Sequence, residues 1–230
     1  MREWLTYELS DLLLFSERVY WRLFELENAA LWPVPLLAPL ALLVALVLYS
    51  RRPRAGVRLI CGLLALAWLS VGANFILQRY APINWAMTYA GPVFGLQAIA
   101  FAALALWPSP GGAISRPAQA MGYGLLLAGA LAYPALAPLH GRSIESAEVV
   151  GIAPDPTALA SLGAAFFISG RWHRLAVLVV PCLWLGQSAA TLYVLNGPAA
   201  LAPAVGLLIG IAGLILFGKA PMGQRGPTSG

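Results

Sequence analysis

The residue of this chain most able to do chemistry is an aspartate beside a hydrophobic run. Asp155 stands in Ala-Pro-Asp-Pro-Thr at residues 153–157, directly before that run. An ionisable side chain below a membrane surface needs a partner and commonly marks an ion or solute pathway. We therefore take Asp155 as the centre of a candidate ligand- or partner-binding site. The other candidate residues are polar side chains expected at the same depth or in the loops that cover it: Arg79, Asn74, Gln187, Asn84, Arg142 and Glu148.

The remaining reactive residue types form no recognisable catalytic site. His140, Glu145, Glu148 and Asp155 could together hold a metal ion, but loop carboxylates at this density are more often solvated or paired with arginine. The two cysteines have no metal-ligand spacing, and the sequence has no hydrolase, metalloprotease or nucleotide-binding motif. We therefore expect no catalytic residues, no metal and no cofactor, and we favour a protein that is not an enzyme.

The elements that must position these residues are hydrophobic helices. Of the residues, 60% are apolar and only 10% are charged, and the mean hydropathy is +0.77. This composition is too hydrophobic for a soluble domain. A helix needs about 20 apolar residues to cross the hydrocarbon core of a bilayer. Seven runs meet or approach this length and predict an all-α, polytopic membrane bundle of seven transmembrane helices: residues 29–49, 59–77, 84–107, 119–139, 153–170, 175–195 and 199–218.

The charges orient this bundle. Nine of the fourteen basic residues fall in alternate loops and in the C-terminal tail, whereas all nine acidic residues fall on the opposite side. Because loops rich in Lys and Arg stay in the cytoplasm, we expect the N-terminus outside and the C-terminus inside. The net charge of +5 therefore reflects topology. We expect the lipid bilayer as a partner, and no nucleic acid.

Two terminal segments flank the bundle of residues 29–218. Residues 1–28 mix apolar and charged side chains at helical spacing, which predicts an amphipathic interfacial helix on the outer face, with Asp11 or Ser16 as its N-cap. The residues predicted to form the apolar stripe of this helix are Val19, Leu23, Leu26 and Ala30. Residues 219–230 are expected to form a disordered cytoplasmic tail.

The fifth hydrophobic run is too short for a complete span. Its helical part, residues 156–170, has 15 residues and would be ~22 Å long, against ~30 Å of hydrocarbon. We therefore expect the preceding segment to enter the bundle as irregular backbone and to carry Asp155 below the outer surface. A carboxylate at that depth is expected to pair with Arg79 or Arg142 from the outer loops.

A polar layer is therefore predicted in the outer half of the bundle. Counted from the cytoplasmic ends of their helices, Asn74 and Gln187 reach nearly the level of Asp155. The layer is either a binding cavity or a set of interhelical hydrogen bonds, each worth ~0.6 kcal/mol, that stabilise the bundle. The sequence leaves both interpretations open.

Five blocks of sequence resemble a known family. They are residues 9–16 (LSDLLLFS), 20–26 (YWRLFEL), 28–33 (NAALWP), 78–85 (QRYAPINW) and 148–157 (EVVGIAPDPT). Through them the chain resembles, over nearly its whole length, the bacterial multi-pass proteins of the domain of unknown function 6064 family. The resemblance implies a polytopic protein of the bacterial inner membrane. Because that family has no assigned activity, it implies no catalytic role.

Two functions from different classes fit these features. The first is a non-catalytic subunit or accessory factor of a membrane complex, which docks a membrane-protein partner or a second copy of itself through its outer face. The alternative is a carrier or channel for a small solute, with an outward-facing polar cavity around Asp155. We favour the first, because the chain lacks reactive groups. An enzyme that uses the outer carboxylates is a weaker third hypothesis.

Overall fold

The fold is described from a computed structural model, in which residues 15–107 and 114–217 are described. The predicted cap at Asp11 and the predicted tail at residues 219–230 lie outside the described residues. Within the described part, the only β-structure is an isolated bridge between Val150 and Ala153. The prediction of an all-α fold is therefore confirmed.

Nine α-helices follow one another in the described residues. They are α1 (Glu17–Ala30), α2 (Val34–Arg51), α3 (Pro53–Ser70), α4 (Met87–Leu106), α5 (Arg116–Leu127), α6 (Tyr133–Leu139), α7 (Pro154–Ala165), α8 (Arg171–Asn196) and α9 (Leu201–Phe217). A π-helical stretch, Val71–Tyr80, continues α3, and another, Ala128–Ala132, joins α5 to α6. Short 3₁₀ turns occur at Ile144–Ser146 and Gly197–Ala200.

Six helical segments are long and apolar enough to cross a membrane. They are Val34–Arg51, Pro53–Tyr80, Met87–Leu106, Arg116–Leu139, Arg171–Leu195 and Gly197–Ile215. These segments correspond to six of the seven predicted spans. The orientation of the chain in the membrane stays a prediction.

The remaining predicted span, residues 153–170, is the buried helix α7. It has 12 residues and is therefore ~18 Å long, and every one of its residues is buried. The expectation that this helix is short is confirmed, but its predicted extent was wrong, because the helix begins at Pro154 and ends at Ala165. The segment before it, residues 147–153, is non-helical and also buried. Irregular backbone of this kind is tolerated in a membrane bundle when protein covers it.

Glycines allow the neighbouring helices to approach α7 closely. A Cβ atom on Gly163 of α7 would lie 2.8 Å from both the carbonyl oxygen of Gly122 and the amide nitrogen of Leu126 in α5. On α9, Gly206 lies against the side chain of Leu159 and Gly210 against that of Leu162. This Gly-x-x-x-Gly pair therefore allows α9 to pack closely against α7.

Helix α1 packs its aromatic face into the bundle. Ser16 caps it as predicted, because its hydroxyl accepts a hydrogen bond from the amide of Val19. The predicted apolar stripe was largely wrong: Val19, Leu26 and Ala30 are exposed, and only Leu23 is buried. The buried face consists of Tyr20, Trp21, Leu23, Phe24, Glu27 and Asn28. The aromatic rings decide the rotation of α1, because they bury more apolar area than the aliphatic stripe.

Candidate functional site

The carboxylate of Asp155 lies at the start of α7 and is fully buried, with 0% of the residue exposed. It accepts three hydrogen bonds from neutral donors. The Tyr133 hydroxyl donates at 3.0 Å, the Ser188 hydroxyl at 2.6 Å and the Trp184 indole N–H at 2.6 Å. These donors come from α6 and α8. Asp155 is therefore buried within the fold, and its depth below the outer membrane surface stays a prediction.

The prediction that Asp155 pairs with Arg79 or Arg142 was wrong. Arg79 donates to Glu27 at 2.8 Å, and the guanidinium of Arg142 lies 3.5 Å from Glu148. Both arginines come from segments next to acidic residues of α1 or of the 140–153 loop, and they pair there. The buried aspartate is instead stabilised by hydrogen bonds from neutral donors. Such bonds stabilise an ionised carboxylate less strongly than hydrogen bonds from a guanidinium do.

The pair formed by Glu148 and Arg142 is buried beneath α1. Glu148 is 3% exposed, and the Arg142 guanidinium lies 3.5 Å from the centre of the Trp21 ring. Arg142 also donates to the carbonyl oxygen of Ser146 at 3.3 Å. Burial, and next the negative charge of Asp155, raise the pKa of Glu148 from 4.5 to about 8, although Arg142 opposes the shift. The two carboxyl groups therefore interact electrostatically, because the charge of Asp155 raises the pKa of Glu148.

Tyrosine side chains occupy the space around these two acids. The rings of Tyr20 and Tyr80 lie 5.8 Å apart. Burial raises the pKa of Tyr20 well above its ordinary value, and the charges of Asp155 and Glu148 add to the effect. Tyr20 is therefore close enough for both carboxylates to affect its pKa, and its side chain remains a neutral phenol.

Several buried oxygen atoms around this layer have no hydrogen-bond partner in the described part of the chain. They include Oε1 of Glu148, Oε1 of Gln187 and the hydroxyl of Tyr80. The Tyr80 hydroxyl faces Asn84, Gln187 and Thr191, but none of these contacts has the geometry of a hydrogen bond. Buried polar groups are normally paired, so each of these atoms has unused hydrogen-bonding capacity.

The predicted polar layer is thus formed in part. Asn84 and Gln187 face Tyr80, and Gln187 donates to the hydroxyl of Thr191 at 2.7 Å. Asn74 lies apart, and its carbonyl oxygen accepts from Gln78 at 3.3 Å. Arg79 likewise does not join Asn84 and Gln187, because its guanidinium pairs with Glu27.

A second polar path follows α7 toward the middle of the bundle. The hydroxyl of Thr157 donates to the carbonyl oxygen of Ala153 and accepts from the amide of Gly151. One turn further on, Ser161 accepts from the indole N–H of Trp68 at 2.9 Å. Gly151 has φ +83°, a backbone conformation that favours glycine. These bonds hold the irregular segment over the start of α7.

The end of the bundle where α1 lies also carries a groove of about 560 Å³. Its wall is mainly apolar and includes Trp32 and Leu36. Its charged residues are Arg22, Glu25 and Glu145, of which Arg22 and Glu25 form an ion pair. A second groove, of about 430 Å³, lies between α2 and α3 and has an apolar wall. The two grooves lie on either side of α2.

The alternative of a metal site finds no support in the part of the chain that the structure describes. No three His, Cys, Asp or Glu side chains come together there. The ring of His140 is exposed and contacts the carbonyl oxygen of Leu136 at 2.8 Å. Residues that are close in the loop sequence are therefore not brought to one point.

The sequence matches the model of a family of unknown function, DUF6064, over residues 17–225. The chain belongs to the DUF6064 family. No curated protein and no solved structure matches it. Membership of DUF6064 therefore places the chain in a family without assigning it an activity.

In this DUF6064 protein, α1 contacts two segments that lie far from it along the chain. Glu27 of the first helix binds Arg79. The Asn28 amide donates to the carbonyl oxygens of Glu145 and Ala147, both at 2.8 Å. The rings of Tyr20 and Tyr80 contact each other edge to face. Helix α1 is thus held against the 78–85 segment and against the loop that precedes α7.

Sequence reasoning missed the direct partners of Asp155. Trp184 and Ser188 lie four residues apart on α8 and therefore share one side of that helix. That spacing, next to Gln187, was the available signal. Tyr133 gave no signal, because a tyrosine in a hydrophobic run is equally suited to a membrane interface.

Proposed function

We propose that this DUF6064 protein is a non-catalytic subunit or accessory factor of a complex in the bacterial inner membrane. Its partner is a membrane protein that packs a transmembrane helix beside α2. The observation that carries the proposal is the position of α2 at the edge of the bundle, with a groove on each side. In this proposal the end of the bundle that carries α1 faces outward.

Helix α2 has few partners within its own chain. Only 22% of its most hydrophobic window is buried, the lowest share among the six candidate spans. It packs mainly on α3, with small contacts to α5 and to Ala128–Ala132. Its exposed side chains repeat at the spacing of one helix face: Leu36, Leu40, Val44 and Val47. A regular apolar face between two grooves is a suitable surface for another helix.

The charges of the outer groove suggest the chemistry of the partner. Two carboxylates, Glu25 and Glu145, accompany a single arginine, Arg22. Because Arg22 already pairs with Glu25, the groove keeps an excess negative charge at Glu145. We therefore expect the partner helix to carry Lys or Arg at its outer end, where the opposite charges would fix the register of the two helices.

The solute-carrier alternative is less well supported. It requires Arg79 and Asp155 to face a common outward cavity. Arg79 is paired with Glu27, and Asp155 is sealed in the core with three hydrogen bonds. The backbone contacts between Gly163 and α5 also leave little room for α7 to move. A carrier would need such movement to expose a central site to both sides.

Site-specific crosslinking tests the proposal. A photoreactive amino acid replaces Leu36, which is 61% exposed, and in a matched control replaces Ile99 on α4, which is 65% exposed. In membranes of the native bacterium we expect one discrete heavier product from position 36 that is absent from position 99. Glu145→Lys should abolish that product, because it reverses the charge of the groove.

Other outcomes would contradict the proposal. A product of equal mass from both positions would indicate non-specific contact. A product with the mass of two copies of this chain would indicate self-association. Failure to form any product, together with loss of solute uptake in Asp155→Asn, would favour the carrier.

A further inference from the structure

The buried layer beneath α1 has one more acid than base. Glu148 and Asp155 are 3% and 0% exposed, and among the described residues Arg142 pairs with Glu148 while no basic side chain pairs with Asp155. Arg79 pairs instead with Glu27, and Arg22 with Glu25. A buried charge without a counter-charge is strongly unfavourable. Two carboxylates and one guanidinium become electrically neutral when they take up one proton.

The two acids differ in how well their ionised forms are stabilised. Asp155 accepts hydrogen bonds from Tyr133, Trp184 and Ser188, and hydrogen bonds of this kind favour a carboxylate. Glu148 has a single contact of 3.5 Å to Arg142 on one oxygen, whereas Oε1 is buried without a partner. The free oxygen of Glu148 is therefore the more favourable place for a proton.

We propose that Glu148 and Asp155 form one proton-binding site, which holds a single proton at neutral pH, mainly on Oε1 of Glu148. The proton comes from water at the end of the bundle that carries α1, where the Arg142 side chain is 13% exposed. The site is independent of the docking surface beside α2, because it uses none of the groove's charged residues.

The other titratable groups around the pair fit this assignment. Tyr20 on α1 and Tyr133 on α6 lie close to both acids, and Tyr80 at the end of the π-helical stretch lies close to Asp155. They are phenols that donate or accept hydrogen bonds without carrying charge at neutral pH. Among the described residues, Arg142 is the cation that pairs at this site. The excess negative charge is therefore left to the two carboxyl groups.

A proton fits the site better than a metal cation does. The three groups around Asp155 direct N–H and O–H bonds at its oxygens, and these hydrogens occupy the directions from which a cation would bind. Hard cations are held by six or more oxygen ligands, whereas Trp184 offers only a donor.

Infrared spectroscopy of the full-length protein in lipid nanodiscs tests the proposal. A protonated carboxyl group has its own C=O stretching band, so the band area counts protonated acids. We expect a band equivalent to one carboxyl group per chain, which disappears as the pH rises through about 8. Glu148→Gln should remove the band, because glutamine mimics the neutral acid without titrating. Asp155→Asn should keep the band and move its midpoint to lower pH, because the repelling charge is gone.

The matched control is Glu27→Gln. Glu27 is equally buried, at 2% exposure, but Arg79 lies 2.8 Å from it, so the band should remain unchanged. Absence of a protonated band at every pH in the wild-type protein would overturn the proposal. So would a band that persists unchanged in Glu148→Gln, or one that is present only when sodium is removed. The wild-type titration and Glu148→Gln decide the matter even if Asp155→Asn does not fold.

Discussion

The central position of α7 predicts a strong effect of adding one methyl group at Gly163. In Gly163→Ala the new Cβ would lie 2.8 Å from two backbone atoms of α5, the carbonyl oxygen of Gly122 and the amide nitrogen of Leu126. Backbone atoms cannot swing away as a flexible side chain can. The two helices must therefore separate by a few tenths of an ångström, and the contacts around α7 loosen.

The magnitude follows from two opposing effects. Overpacking of a well-packed core costs about 1–3 kcal/mol, whereas replacing glycine by alanine inside a helix stabilises it by about 0.5–1 kcal/mol. A matched control isolates the first effect. Gly124 of α5 is exposed, and a Cβ there would meet no atom within 4 Å. Gly124→Ala should thus be neutral or stabilising, and Gly163→Ala should be about 1–3 kcal/mol less stable than this control.

Unfolding of the two variants in mixed detergent micelles, followed by tryptophan fluorescence, measures the difference. Equal stabilities would refute the close approach of α5 and α7. They would also remove the argument that α7 is too tightly held to serve as the moving part of a carrier. A Gly163→Ala protein that unfolds earlier, with its secondary structure intact beforehand, would support the packing described above.

Three further predictions concern the acid pair, α1 and the orientation of the chain. Glu148 binds its proton more tightly in the folded than in the unfolded state. The free energy of unfolding should therefore fall as the pH rises from about 4.5 to about 8, by at most about 1.4 kcal/mol per pH unit, and should level off at higher pH. Thermal unfolding should show this slope in the wild-type protein and a flatter slope in Glu148→Gln. Asn28→Ala removes two hydrogen bonds between α1 and the 145–147 segment and should destabilise the protein by about 1–3 kcal/mol, measurable by the same scan; an unchanged stability would mean that α1 is not docked there. A cysteine in place of Arg52 should not react with an impermeant thiol reagent in intact cells. Labelling at this position would contradict the predicted orientation, because it would place the loop outside the cell.

Much of the helical framework could be predicted from the sequence. Six of the seven predicted hydrophobic runs correspond to helices that are long enough to span a membrane. This success has a local cause, because a run of about 20 apolar residues is itself the signal for a transmembrane helix. The N-cap at Ser16 was also predictable, since capping depends on a few neighbouring residues.

The rotation of α1 was not predictable in the same way. The aliphatic residues Val19 and Leu26 formed a plausible stripe, but Tyr20 and Phe24 are the ones that pack inward. The choice depends on Tyr80 and Phe75, whose rings meet this face from another helix. A single sequence contains both faces and does not show which one has a partner.

The sequence by itself determined where the hydrophobic helices lie, that one of them is too short, and that an aspartate stands at its start. Each of these depends on residues that are close along the chain. Only the tertiary structure decided what surrounds Asp155, because its donors are 22, 29 and 33 residues away. The same holds for Arg79, which finds Glu27 across 52 residues. Charge patterns place such residues on one side of a bundle, but the packing of α1, α6 and α8 decides which of them meet.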